Sequence, residues 1–200
     1  MQKLEDLISA TQWAHQQQLT PATGGNFSLR HSTNSCLITA SGVDKGKLTA
    51  EDFIEINWQD NTVIGKGKPS AETALHTMLY QLDENIYTVL HTHSVNATVL
   101  SSLSSHDEFV FYDWEMKKVL AGVSSHEAKV GLAVFDNDQD IPALAQRVKQ
   151  RWQKNPLQWG LLVRGHGLYS WGQTIQQAQL QLEGLEFLFQ AEVLRRQLER

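Results

Sequence analysis

Two apolar runs with the composition of buried strands, Ile86-Tyr87-Thr88-Val89-Leu90 and Trp159-Gly160-Leu161-Leu162-Val163, each lead within three residues to histidine. The first enters His91-Thr92-His93 directly, and the second reaches His166 through Arg164-Gly165. Runs this apolar need cover on both faces, which calls for helices packed on a sheet. Residues two apart in extended backbone share a face, so His91 and His93 point the same way and can meet at one ion. His166 stands between two glycines, where little bulk blocks approach. Three neutral imidazoles suit a zinc ion (Zn2+) and leave one position for water or a substrate oxygen. Nickel, cobalt and iron(II) accept the same donors. The competing reading is of core or loop histidines satisfied by hydrogen bonds, and His15, His31, His76, His106 and His126 fall in no comparable pattern. His76 is placed on the helix that follows Glu72, with a solvent-facing position open to it.

The 200 residues carry a formal charge of −5, which disfavours non-specific nucleic-acid binding but leaves room for a local positive pocket. Length and composition suggest one domain spanning 1–200. Cys36 is the only cysteine, so an intrachain disulfide and a thiolate metal cluster are excluded, and the residue is read as core. The N-terminal pattern is amphipathic and contains acids, without an apolar core of signal-peptide or membrane-spanning length, and a cytoplasmic location with no membrane partner is expected.

Spacing predicts helices over 2–18, from Ser70 through Leu82, over 95–103, over 141–152 and over 174–196. Strands are expected at 27–30, 36–39, 53–57, 62–64, 86–90, 129–135 and 159–163, with a turn at Gln59-Asp60-Asn61. Residues 104–112 give no clear pattern, and 115–120 read as helical. Ser70 is a candidate N-cap, which puts Glu72 in a first helical turn, favoured there by the dipole or approaching the ion as ligand or proton acceptor. Glu115 lies between Trp114 and Met116, a setting that raises a carboxyl's proton affinity if it is buried. The turns Gly24-Gly25-Asn26 and Ser41-Gly42, with Ser70, can present backbone N–H groups and hydroxyls to an anion, or be two ordinary tight turns. Neither dinucleotide nor P-loop glycine spacing is present.

Five ordered segments, ATGGNFSLR at 22–30, TASGVDKG at 39–46, KPSAETALH at 68–76, LHTHSVNATVL at 90–100 and RGHGLYSWG at 164–172, are together similar to the class II aldolase family. That resemblance implies a three-layer α/β/α sandwich around a mainly antiparallel sheet, and a homotetramer with active sites near subunit boundaries. It makes His91, His93 and His166 zinc ligands and places Gly25, Asn26, Ser28, Ser41, Gly42 and Ser70 around a substrate phosphate. Aldolase members carry a glutamate at the position of Glu72. The segments FYDWEMKKVL at 111–120 and HEAKVGLAVFDNDQDI at 126–141 resemble the family's dehydratases, in which Glu115 matches the acid/base. The implied reaction removes water from a phosphorylated five-carbon ketose bearing a methylthio group, a step of methionine salvage. Aldol cleavage of a phosphorylated ketose and non-catalytic metabolite binding by a homo-oligomer are the alternatives.

Overall fold

The computed structural model describes residues 2–60 and 62–199, so Asn61 of the expected turn lies outside the described residues. Among the described residues nine strands form one sheet: β1 (Asn26–Arg30), β2 (Ser35–Thr39), β3 (Phe53–Asn57), β4 (Val63–Ile64), β5 (Thr88–Thr92), β6 (Glu108–Val110), β7 (Gly131–Phe135), β8 (Gly160–Val163) and β9 (Gly167–Gly172). Their spatial order is β4-β3-β2-β1-β5-β9-β8-β7-β6, and every neighbouring pair is antiparallel except β7 with β8. Among the described residues five α-helices cover it: α1 (Gln2–Gln16), α2 (Thr73–Leu82), α3 (Val95–Leu103), α4 (Ile141–Lys154) and α5 (Ile175–Leu198).

Alternation along the central strands sorts the side chains into two cores. Phe27, Leu29, Leu90, Leu162 and Leu168 face α1, α3 and α5, whose Leu7, Leu100, Leu182, Leu185 and Phe189 close that side. Ile38, Val89, Leu161, Val163 and Trp171 face the other way, toward Leu75 and Leu79 of α2 and Leu144, Val148 and Trp152 of α4. The result is the expected three-layer α/β/α arrangement, because strands apolar on both faces can be covered only by helices on both faces.

Helix ends follow local chemistry. Ser94, Asp140 and Thr174 each accept a hydrogen bond from a first-turn backbone N–H and so start α3, α4 and α5. One expectation needs correction, and one segment without a readable pattern is resolved. The helix expected from Ser70 begins at Thr73, with Glu72 in the cap position, because the Ser70 carbonyl closes a turn on Thr73 N and the Ser70 hydroxyl accepts from Glu72 N. The segment 104–112 contains β6, whose alternating burial is only three residues long and so left no readable period.

Helix α5 touches the histidine strand from behind. Glu186 accepts a hydrogen bond from Thr92 Oγ1 at 3.4 Å, its other oxygen lacks a partner, and burial pushes its carboxyl up from 4.5 to about 7. Below about pH 4.5 both folded and unfolded states hold this proton. Between 4.5 and about 7 the folded state holds it and the unfolded state does not, so stability falls as pH rises, by on the order of 3 kcal/mol in total. Urea denaturation at pH 5 and pH 8 should therefore show Glu186→Gln losing less stability than the parent chain over that interval. Equal losses would refute the assignment.

Candidate metal centre

The register of β5 fixes the first two histidines. His91 lies opposite Asn26 of β1 on one side and Tyr169 of β9 on the other. Its Nδ1–H donates to the Leu168 carbonyl at 2.9 Å, and its ring stacks on Tyr169 with centroids 3.9 Å apart. That bond settles the tautomer and leaves Nε2 as a bare lone pair. His93, just past the strand, donates its backbone N–H to the Leu19 carbonyl. Its ring lies so close to Gly24 that a Cβ there would sit 2.8 Å from Nδ1, which explains why a glycine precedes Gly25. His166 occupies the tight turn between β8 and β9, where Gly165 adopts a positive φ of 64° and Thr98 Oγ1 donates to the His166 carbonyl.

These supports bring three Nε2 atoms together, with His93 2.8 Å from His91 and 3.0 Å from His166. Glu72 adds its carboxylate, 3.3 Å from His91 Nε2 and 3.0 Å from His166 Nε2. All four ligand atoms lie within 4.8 Å of one another. A single proton on His93 Nε2 can satisfy only one of the two nitrogens it faces, and His91 Nε2 carries none, so the array leaves lone pairs confronting each other. Such a donor set fits a cation, and three imidazoles with a carboxylate suit a divalent ion. Burial opposes ionisation of Glu72, but when His91 and His166 are protonated their charges and hydrogen bonds outweigh it and hold the carboxyl well below its usual range; with His91 Nε2 bare, a bound cation takes that role. Burial, reinforced by the neighbouring imidazoles, lowers His93 to about 3, so its ring is neutral and ready to bind.

Behind Glu72 runs a buried chain of hydrogen bonds. Asn26 Nδ2 donates to Glu72 at 2.5 Å, Asn26 Oδ1 meets His76 Nε2 at 2.5 Å, His76 Nδ1 meets Ser28 Oγ at 2.7 Å, and Ser28 Oγ meets Tyr80 Oη at 2.7 Å. An ionised carboxylate only accepts, so the Asn26 amide must face it, and each later direction follows. His76 donates from Nε2 and accepts at Nδ1, Ser28 donates to His76, and Tyr80 donates to Ser28. Burial lowers His76 to about 3, in keeping with the single-proton ring this order requires.

The structure revises several expected roles. Ser28 is fully buried on the α2 side with its hydroxyl committed to His76 and Tyr80, so it is not a phosphate contact. The Asn26 amide bonds to Ser70, Glu72 and His76, and the residue also lines the smaller cavity described next. His76 is buried rather than solvent-facing. Gly25, Ser41, Gly42 and Ser70 do gather around one cavity of about 210 Å³, so the two glycine turns meet. It adjoins a cleft of about 620 Å³ that reaches His93, His166, Asn137 and Gln139. Within one chain Glu115 lies outside that cleft. It is exposed at the start of a short 3-10 helix (Glu115–Val119), bonded to Lys118, and its hydrogen bond and the lysine's charge lower its proton affinity rather than raise it. Trp114 turns inward to Glu192 while its neighbour faces out, which is why the flanking apolar residues misled. Lys45, Asn137 and Gln139 were missed. Sequence marks Lys45 only as an ordinary loop lysine.

The direction of the chain can be checked by stability. Tyr80→Phe removes a donor and leaves Ser28 still bonded to His76, so a loss of about 1 kcal/mol is expected. His76→Phe strands buried groups on both sides, at about 1–3 kcal/mol each. Chemical denaturation giving equal losses for the two variants would contradict the assigned order.

A family model described as the Class II Aldolase and Adducin N-terminal domain matches residues 5–193. A methylthioribulose-1-phosphate dehydratase of Pectobacterium carotovorum subsp. carotovorum (strain PC1) is 54% identical, over 99% of this chain and 97% of that protein. Another, from Yersinia enterocolitica serotype O:8 / biotype 1B (strain NCTC 13174 / 8081), is 53% identical over 98% of this chain and 94% of its own length. Among solved structures, the L-fuculose-1-phosphate aldolase of Thermus thermophilus superposes with a TM-score of 0.78 at 24% identity, covering 99% of this chain and 97% of that one, a likeness of fold. With the fold, the ordered motifs and a full-length match in agreement, the chain belongs to the class II aldolase and adducin N-terminal domain family.

Proposed function

We propose that this chain is a metal-dependent hydro-lyase, a single catalytic domain over 1–200, that converts 5-methylthioribulose 1-phosphate to 5-methylthio-2,3-dioxopentyl phosphate and water in methionine salvage. The observation that carries the reading is the 54% identity to a dehydratase of that name across nearly both full chains. Convergence of His91, His93, His166 and Glu72 supplies the chemistry such a reaction needs. The proposed setting is the cytoplasm, and no helix among the described residues is long and apolar enough to cross a membrane.

In this reading His91, His93 and His166 would hold a zinc ion, which when bound would supply the Lewis acidity that makes the substrate C3 proton more acidic. Glu72 would be its fourth donor or, alternatively, a proton acceptor on the same wall. Gly25, Ser41, Gly42 and Ser70 bind the C1 phosphate at the smaller cavity. Glu115 removes the C3 proton and returns it to the C4 oxygen, which departs as water. The resulting enol at C3 then tautomerises to the 2,3-diketone, so no redox partner is required. Because Glu115 is exposed and outside the cleft of its own chain, it serves the site of a neighbouring subunit in a homotetramer.

Mass-resolved products of the zinc-loaded protein with this substrate should include one lighter by a single water. Fragmentation into two carbonyl-containing pieces would establish aldol cleavage instead. Elemental analysis should find metal lost from His91→Ala and His93→Ala but retained in Glu115→Gln, whose turnover should fall by about 10²–10⁴-fold. Reassembling mixed tetramers of Glu115→Gln and His93→Ala should restore part of the activity. Absence of such rescue would remove the cross-subunit assignment of Glu115.

A further inference from the structure

Lys45 is 1% exposed, an uncommon state for a lysine. Its ammonium donates to the Thr23 carbonyl at 2.9 Å and the Val43 carbonyl at 3.0 Å, one from each glycine-turn segment. Three N–H groups are available and two are used. Among the described residues no carboxylate lies within ion-pair distance of it: neighbouring Asp44 turns its oxygens to Gly46 N and toward Lys47. A buried cation with no counter-charge is costly, and burial shifts Lys45 toward its neutral form. The same lysine lines the cavity of about 210 Å³ between the two glycine turns. Its charge reaches the candidate metal centre, where it adds to the lowered proton affinity of His93. Gly42, which also lines this cavity, has a positive φ of 79° and nothing within 4 Å of where a Cβ would lie.

We propose that Lys45 is the ionic partner of the substrate phosphate and the residue by which the site selects a phosphorylated ketose over its unphosphorylated counterpart. The remaining N–H of its ammonium makes the contact: two carbonyls hold the side chain in place, and the arriving dianion supplies the missing counter-charge. Backbone N–H groups and hydroxyls alone would bind a phosphate with far less dependence on charge. The inference rests on the reading of the substrate as a sugar phosphate, and it names the residue on which that preference depends.

Inorganic phosphate is the probe, titrated calorimetrically into the metal-loaded protein. Lys45→Met, close in shape and uncharged, should weaken phosphate binding at least about tenfold and flatten its salt dependence, with metal content unchanged. The KM for the phosphorylated ketose should rise by a similar factor while kcat moves by less than about threefold, and binding of the unphosphorylated ketose should be the same in both proteins. Phosphate binding as tight in a folded Lys45→Met as in the parent overturns the proposal. If that variant does not fold, the parent chain decides: with 15N-labelled lysine, saturating phosphate should shift the Lys45 ammonium resonance, assigned through Lys45→Arg, and an unmoved resonance overturns it. A protein that binds phosphate through Lys45 but dehydrates nothing sinks the substrate reading and leaves the role of the lysine standing.

Discussion

Hydrogen bonding of β5 on both edges, to β1 and to β9, is what the candidate site depends on. A strand held on two sides cannot slip by one residue without turning His91 toward the opposite core. The same pairing sets Asn26 beside His91 and lays Tyr169 under its ring, so the first two histidines, the amide that anchors Glu72 and the stacking face are consequences of one register. The β8–β9 turn then returns His166 to the same place. Gly167 is needed there, since a Cβ on it would come within 2.0 Å of the Thr92 carbonyl.

Placing so many polar groups inside a sandwich is costly unless nearly all are bonded. The α2 side meets this with the continuous run from Tyr80 to Glu72, and with Arg30, whose guanidinium donates to the carbonyls of Tyr80, Asp83 and Ile86 where α2 ends. Those bonds also offset the dipole at the helix C-terminus. Three buried polar atoms among the described residues still lack a partner, one Glu186 oxygen on the α5 side and Tyr169 Oη and His166 Nδ1 at the histidine site.

Periodicity and cap chemistry in the chain were enough to read α1, α3, α4, α5 and most strands, since each has a face with clear apolar spacing and a recognisable start. The histidine cluster was legible for a similar local reason: a His-x-His at the end of a buried strand needs only backbone alternation to converge. What stayed illegible depends on long-range placement. Ser28 looks like a glycine-turn hydroxyl until β1 pairs with β5 and turns it toward His76. Lys45 looks solvated until two distant carbonyls fold around it. Glu115 appeared enclosed between apolar neighbours, whereas a 3-10 helix has room to send adjacent residues in opposite directions. The start of α2 shifted by two residues because Ser70 is engaged in a turn rather than in a cap, a choice that propensity does not decide.

The one-way order of the Tyr80–Ser28–His76–Asn26–Glu72 chain has an electrical consequence. Four successive donor groups point the same way, so their dipoles add, with the positive end at the carboxylate, much as peptide units add along a helix. Since no member between Tyr80 and Asn26 carries net charge and the groups are buried, mobile ions have little there to screen. Glu72 is therefore held anionic partly by a permanent polarisation of the core, one that stays in place at ionic strengths where surface charge pairs fade.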